Sequence, residues 1–526
     1  MASQVLASID GEACFVTKNK AMVREGVELT TGKVTEVAAG VKVVAVERDR
    51  NAKGDNRLRI TSPVAGWLSE KTVEPFVRYD FVVVGPTGVV GGWMMKLLDE
   101  MRGGSHALLL EGDAMPTFAI AGRQKAKVEA LGVAHGCRAF VVDEKDPKSW
   151  DRVVDAARVV LTAAGPYRQK GPRQLLKACA KAAHGVVYFD LTGEYSLVAD
   201  VLEAHAKDAA RRGNSLVQMV GPQEVLTTEF AAHLAVERLR GSGKGRECPF
   251  LEILTCSNGG MSGGSVASGT MMQIEEKREK LDDVWGLTLD QTFVEGRAAV
   301  PEAFASDCTK AWTDGRWGDA IHLGPAPLAT GDARILRRTA HALRWNGTRA
   351  AGVRMYTIFD SERAAKYMAY TTTAPAHLTL KAIEDGRLPA RGVGPTPAQS
   401  YGSAFMDFVV AHASAATTTA RDGGAVACCR TVAKPGLGHG AACGYVGSAY
   451  CMLVCGMAAL RHKAKAGAGL TPLTAFEGGA DILDRLRSVG YEFEVTDALP
   501  SPDDLRAAFA QNAEGEKVKA AGPPTA

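Results

Sequence analysis

Three glycines, Gly85, Gly88 and Gly91, stand three residues apart between the apolar run FVVVG (81–85) and a stretch where Trp93, Leu97 and Met101, with Met94 and Leu98 beside them, recur at helical spacing. A fully apolar run followed by an amphipathic repeat reads as strand, turn and helix. The chemistry open to such a turn is anion binding. Glycine lets backbone approach a pyrophosphate closely, and the helix behind it presents free N–H donors and a partial positive charge. Gly85, Gly88 and Gly91, with Thr87 and Val89 between them, are therefore candidate cofactor-binding residues. A tight turn that holds no ligand is the competing reading, and the flanking sequence has to discriminate.

That sequence continues the alternation. Apolar runs at TFAIAG (117–122), RAFVVD (138–143), RVVLTAAG (158–165) and VVYFDLTG (186–193) are separated by the helix-like stretches RQKAKVEAL, PKSWDRVVDAA and RQLLKACAKAA. Short apolar strands alternating with helices indicate an α/β fold with a doubly wound, Rossmann-type parallel sheet. Ligands of such sheets collect outside the carboxyl ends of the strands, so each strand end is a candidate site.

The end of the second strand carries Arg123, with Lys125 and Lys127 close behind. An arginine there suits a ribose 2′-phosphate where an acidic residue would suit the 2′-hydroxyl, which favours NADP over NAD. The bland alternative is an exposed helix start and a solvated helical face. Asp143 ends the third strand and either borders the adenine or caps the next helix. Ala163, Ala164, Gly165 and Pro166 end the fourth, small enough for backbone to lie against a cofactor. Tyr167 follows them, and Asp190, Thr192 and Glu194 come to the same edge after the fifth strand. We take Tyr167 and Asp190 as candidate catalytic residues and Thr192 and Glu194 as candidate substrate contacts, although Asp and Thr after a strand are also common turn and cap residues. Ser262, among Gly260, Gly263 and Gly264, is a further candidate, at a helix-opening turn facing the cofactor or at a close packing contact.

A chain of 526 residues is too long for one ordinary core. Residues 1–77 alternate short β-rich runs with turn signals at the spacing of a small β-barrel. Residues 78–215 hold the Rossmann-type alternation, 216–440 read as an α+β substrate or dimerisation domain, 441–500 as helices, and 501–526 as a C-terminal tail. A net charge of +3 gives no reason to expect nucleic acid. Eleven cysteines without a C-x-x-C pair suggest a reducing compartment. Cys451 and Cys455, like His439 and Cys443, share a helical face, but their small apolar surroundings read as core, so no metal is expected. The apolar stretch at 445–460 is shorter than the roughly 20 residues needed to span a bilayer. The first twenty residues carry Asp10 and Glu12 and lack the pattern of a signal peptide.

The blocks YDFVVVGPTGVVGG, AIAGRQKAKVEAL, VVLTAAGPYRQKG, VVYFDLTGE and NGGMSGGSVASG, with the late stretch from GYVGSAYCM to GYEFEV, resemble in type and order the saccharopine dehydrogenase-like oxidoreductases, which include trans-acting enoyl reductases. The resemblance runs from residue 79 to about 495. The N-terminal region lies outside it and resembles a bacterial-type SH3-like barrel. The first likeness implies an NADP-binding Rossmann domain, a mixed α/β substrate domain, closing helices that return to the Rossmann domain, and hydride transfer to a carbonyl or enoyl carbon of a small or lipid-like substrate. The cysteines point to a cytoplasmic protein, and the resemblance leaves peripheral membrane or lipid-droplet association open to it. A homodimer and a protein partner recruited through the SH3-like region are further expectations.

Three departures stand against the family pattern. VGPQEVLTTE, from Val220 to Glu229, replaces a CGFDSIPSD-like stretch; AKPGLGHGAACGY replaces GDPGY; and LLLEGDAMPT (108–117) is an insertion before the second strand. They leave cofactor binding better supported than catalysis, so a nucleotide-binding scaffold with little or no activity is the alternative. None of the eleven tyrosines starts a Y-x-x-x-K, and there is no P-loop, which argues against a short-chain dehydrogenase and an NTPase.

Overall fold

A computed structural model describes residues 4–5, 13–38, 41–104, 106–171, 173–222, 225–241, 247–279, 311–327, 329–347, 351–390, 392–413, 425–435, 444–476, 479 and 481–521. They divide into two compact units, Met1–Tyr79 and Asp80–Ala526.

The first unit is an antiparallel sheet. Its strands run in the order Lys33–Val37, Ala21–Arg24, Gly66–Ser69, Asn56–Ser62, Lys42–Arg50, Ala13–Thr17 and Val73–Pro75, with Gln4–Val5 also on Lys42–Arg50. Alternate residues Val23, Val43, Ala45, Leu58, Ile60 and Leu68 point to one side and form its buried core. The expected closed barrel is not formed, because the outermost strands Lys33–Val37 and Val73–Pro75 do not pair with each other. The Thr17 hydroxyl donates to the Ala38 carbonyl at 2.6 Å and its amide to the Val41 carbonyl at 3.0 Å.

The second unit opens with β1 (Tyr79–Val84), α1 (Val89–Met101), β2 (Phe118–Gly122), α2 (Lys125–Ala134), β3 (Arg138–Val141), α3 (Pro147–Asp155), β4 (Ala157–Thr162), α4 (Arg173–Lys181), β5 (Val187–Asp190), α5 (Tyr195–Arg212) and β6 (Ser215–Val217). These strands form a parallel sheet in the order β3-β2-β1-β4-β5-β6, the doubly wound arrangement whose direction reverses between β1 and β4. Buried Phe81, Val82, Val83 and Val84 show why β1 reads as an unbroken apolar run: both of its faces are covered.

A second, mixed sheet follows, built from α6 (Leu226–Gly241), β7 (Phe250–Ser257), α7 (Gly263–Glu279), β8 (Trp312–Thr313), β9 (His322–Pro325), α8 (Ala329–Ala342), β10 (Gly352–Phe359), β11 (Phe405–His412) and β12 (Val426–Ala433). Here β7 pairs with β10 in parallel and with β11 antiparallel. Leu254, Tyr356, Phe408 and Val432 pack its core on one face.

The closing segment contains more than the expected helices. After α9 (Gly444–Arg461), β13 (Gly467–Leu470) joins β6 as a seventh strand of the first sheet, and β14 (Tyr491–Thr496) pairs with β12 at the edge of the second. The expected tail is instead helical from Pro502 to Ala521, as α10. Ser501 and Asp504 exchange amide-to-side-chain bonds at its start and Pro502 takes the first helical position. Leu505 and Ala508 then enter the core of the second sheet, which offsets the entropy of ordering the helix.

The insertion at 108–117 has a partner. Buried Arg485, on the helix Ile482–Ser488, donates to both oxygens of Asp113, at 2.7 and 3.1 Å, and to the Leu108 carbonyl at 3.1 Å. The closing segment holds the extra residues in place.

Candidate functional site

The turn between β1 and α1 is shaped by two of its glycines. Gly85 has φ of +82° and lies against Ala164, while a β-carbon on Gly91 would stand 2.1 Å from the Gly85 carbonyl oxygen. Gly88 differs. It is exposed, and a β-carbon there would meet the chain only at ordinary contact distances, 3.4 Å or more. Nothing in the fold demands a glycine at 88, but close approach of a ligand to the helix start would.

Gly88 is also the N-cap of α1, which has no side-chain cap, so the first amides of this thirteen-residue helix keep their donors for an incoming anion. Thr87 is exposed beside them and Val89 half-buried behind them. Across the reversal of strand order lie half-buried Ala163 and Ala164, exposed Gly165 and buried Pro166. Uncapped amides, an unshielded glycine and small residues at the next strand end fit the pyrophosphate of a dinucleotide.

Arg123 leaves the end of β2 exposed, with Lys125 and Lys127 exposed on α2. Near it is a residue that the sequence did not single out, Glu144. One of its oxygens accepts the Gln174 amide at 3.4 Å, and burial pushes its carboxyl up while that amide and Arg123 pull it down. Asp143 is exposed and committed locally: its carboxylate accepts the Lys145 amide at 3.0 Å. The cap of α3 is Asp146, which accepts from Lys148.

The residues expected to catalyse brace the site from within. The Tyr167 hydroxyl donates to the Thr162 carbonyl at 3.0 Å and accepts the Leu191 amide at 3.3 Å. Asp190 is wholly buried, taking the Tyr188 hydroxyl and the Thr192 amide at 3.0 Å and the Gln218 side chain at 3.3 Å. Burial pushes its carboxyl up to about 6, against the pull of those donors. Its Oδ1 also faces the Met219 amide at 3.4 Å, and Met219 has φ of +61°, a strained value for a residue with a side chain. Thr192, equally buried, accepts the Glu194 amide at 3.0 Å. Both candidate catalytic groups thus act as struts at the crest of the sheet, because their polar atoms are taken up by backbone and neighbouring side chains.

Glu194 is the junction. Its two oxygens accept the amides of Tyr167 and Arg168, at 2.9 and 2.8 Å, and one also accepts the Ser268 hydroxyl at 2.7 Å. Ser268 lies on α7, two turns beyond Ser262, so the helix of the second sheet reaches the carboxyl edge of the first. At its start, Ser262 accepts the Ser265 amide at 3.2 Å as a helix cap. Gly263 is held by packing, since a β-carbon would fall 1.9 Å from the Ala390 carbonyl oxygen.

Tyr445, at the start of α9, completes this cluster. Its hydroxyl accepts the Ser262 amide and lies 2.7 Å from Ser265 Oγ. The direction of α9 explains its position. Gly456 packs on Phe81 and Leu161 in the body of the sheet, and the Leu460 carbonyl accepts from Arg158 near the amino end of β4. The helix therefore runs against the strands. Tyr445, about 16 Å of helix back from Gly456, therefore lies toward the carboxyl end of the strands. Tyr445, Ser265 and Ser268 were not found from sequence, although the last two continue from Ser262 at helical spacing.

In the Val220–Glu229 stretch, the Val220 amide donates to the Asp190 carbonyl at 3.0 Å, and Gln223 and Glu224 lie outside the described residues. Glu229 is wholly buried, accepting the Thr339 hydroxyl and, at 3.1 Å, the Leu473 amide, and burial pushes it up to about 7. Cys451 and Cys455 are buried in α9, while His439 and Cys443 fall outside the described residues. No helix among the described residues is long and apolar enough to cross a membrane.

No protein-family model matches the chain. Over 286 residues it is 28% identical to the trans-acting enoyl reductase of Mycobacterium bovis (strain BCG / Pasteur 1173P2), covering 51% of this chain and 62% of that protein. Over 225 residues it is 30% identical to the trans-acting enoyl reductase of Mycobacterium leprae (strain TN), covering 41% and 50%. The chain thus spans less than two thirds of the length of these curated relatives. Among solved structures it is similar to saccharopine dehydrogenase (L-Glu forming) from Saccharomyces cerevisiae, at 12% identity and a TM-score of 0.42 over 79% of this chain and 99% of that one.

Proposed function

We propose that this chain, a homologue of trans-acting enoyl reductases over half its length, is an NADP-dependent oxidoreductase that transfers hydride to a carbonyl or enoyl carbon, on a small or lipid-like substrate. The observation that carries the reading is Gly88: an exposed glycine capping an uncapped helix, which the fold itself does not require and a pyrophosphate does.

On this reading the amides at the start of α1 hold the pyrophosphate, Thr87 and Val89 flank it, and Ala163 to Pro166 let the nucleotide lie against the fourth strand end. Arg123 meets the 2′-phosphate that separates NADP from NAD. A reduced nicotinamide nucleotide, when bound, supplies hydride; the protein aligns the acceptor, excludes water and stabilises developing negative charge. Ser262, Ser265 and Tyr445 supply polar hydrogen-bonding atoms at that edge. A cytoplasmic setting fits the eight cysteines free of disulfides among the described residues.

The scaffold alternative is favoured by one observation, the full engagement of Tyr167 and Asp190 within the fold. Titration of the full chain with NADPH and NADH separates the readings in part. Tight NADPH binding that Arg123→Ala weakens at least tenfold, with NADH little changed, supports the cofactor site. Failure to bind either nucleotide sinks it. NADPH oxidation dependent on an enoyl or carbonyl compound then distinguishes the enzyme from a nucleotide-bound scaffold.

A further inference from the structure

A reductase that adds hydride to an unsaturated carbon must also deliver a proton, and neither Tyr167 nor Asp190 is free to do so. We propose that the Tyr445 hydroxyl, held by Ser262 and Ser265, is the general acid of this site. The inference rests on the oxidoreductase reading above.

Three features single out Tyr445. It lies toward the carboxyl end of the strands, the edge where such sheets bind their ligands. Unlike Asp190 it is only partly buried, so a substrate can reach it. And its oxygen accepts the Ser262 amide at the opening of α7, a helix of 17 residues. A phenolate formed there meets a backbone donor and the positive end of a helix, which stabilises it. Glu194 is the carboxylate held on the same helix, through Ser268 one turn beyond Ser265.

For an enoyl substrate the step balances as follows. A reduced nicotinamide nucleotide, when bound, would supply the hydride that forms a C–H bond at the carbon remote from the carbonyl, a two-electron reduction of the double bond. The electron pair left next to the carbonyl takes the Tyr445 proton, forming the second C–H bond as the O–H bond breaks. Ser265 Oγ, 2.7 Å away, then returns a proton from water to the phenolate.

A test that needs no substrate follows from charge. The oxidised nicotinamide ring is positive and the reduced ring is neutral, so a phenol beside it ionises more readily with NADP⁺ bound. Affinities for NADP⁺ and NADPH are measured on the full chain and on Tyr445→Phe from about pH 7 to about pH 10, the range leading to phenol ionisation. In the unaltered protein NADP⁺ affinity should rise by about tenfold, the effect of one pKa unit, while NADPH affinity stays level. In Tyr445→Phe the rise should vanish with NADPH affinity preserved. A rise that persists in Tyr445→Phe overturns the assignment. Ultraviolet difference absorbance reads the same event without mutation: up to about half a phenolate per chain, the most that a shift of one pKa unit yields, should appear on adding NADP⁺ in that range, and none overturns the assignment. Absence of nucleotide binding in the unaltered chain is a different failure, since it removes the cofactor reading itself.

Discussion

Ser268 and Glu194 are joined at 2.7 Å between a helix of the second sheet and the crest of the first, and Glu194 at the same time holds the amides of Tyr167 and Arg168. One buried carboxylate thus aligns the small strand end at 163–166 with the helix that brings Ser262 and Ser265. Glu194→Ala would leave those two amides without their acceptor and open a gap. The expected cost is about 3 kcal/mol, from roughly 1 to 3 kcal/mol for each buried group left unsatisfied. Urea unfolding measures it, and a loss below about 0.5 kcal/mol would show that the junction matters little.

The glycines make a graded series. Gly92→Ala meets open space and should leave both stability and nucleotide binding close to wild type. Gly91→Ala forces a carbon to 2.1 Å from the Gly85 oxygen and should unfold the turn, lowering stability by several kcal/mol. Gly88→Val should fold normally yet bind NADPH at least about tenfold more weakly, a loss of about 1.4 kcal/mol. Thermal unfolding and nucleotide titration on the three variants check the order, and unchanged NADPH affinity in Gly88→Val would count against the pyrophosphate site.

Arg485 and Asp113 form a buried, two-point ion pair. Arg485 keeps a second carboxylate, Asp481, at 2.7 Å, so Asp113→Ala removes one of its two acidic partners and should cost about 1 to 3 kcal/mol, and replacing both residues together should cost less than the sum of the two single changes. A double-mutant cycle in urea gives the comparison. If the two single changes simply added in the double variant, the pair would not be what secures the insertion.

Glu229 sets a pH dependence. Its carboxyl is raised from 4.5 to about 7, chiefly by burial, so the folded state holds the proton more tightly than the unfolded chain. The stability contributed by the protonated form is present below about pH 4.5 and is lost as pH rises towards 7. The full change is about 3 kcal/mol, from about 1.4 kcal/mol per pKa unit. Glu229→Gln, which cannot ionise, should lack this component. The difference in unfolding free energy between wild type and variant, followed across that window, should therefore change in the variant's favour as pH rises. A flat difference would mean that Glu229 does not titrate there.

How much of this was legible beforehand depended on range. The opening of the cofactor turn was readable because it is local: FVVVG must be a strand buried on both faces, Trp93 to Met101 repeats at helical spacing, and the glycines fall between them. Five such units in succession dictated the parallel sheet, and a carboxyl edge followed from it. The C-terminal helix was readable in principle from Ser501, Pro502 and Asp504, a start signal overshadowed by the polar residues after it.

What only the tertiary structure decided was which polar groups remain available for chemistry. Asp190 and Tyr167 have the right types at the right edge, but whether their atoms face a ligand or a backbone amide depends on Gln218, Met219 and Leu191 arriving from other elements. Ser265 and Tyr445 are 180 residues apart and Asp113 and Arg485 are 372 apart. No local pattern encodes such a meeting, because it is set by the direction in which α9 crosses the sheet and by where the closing segment re-enters it. By itself the sequence determined the turn, the sheet and the edge; the packing of distant elements onto that edge determined which of its residues are struts and which stand free to act.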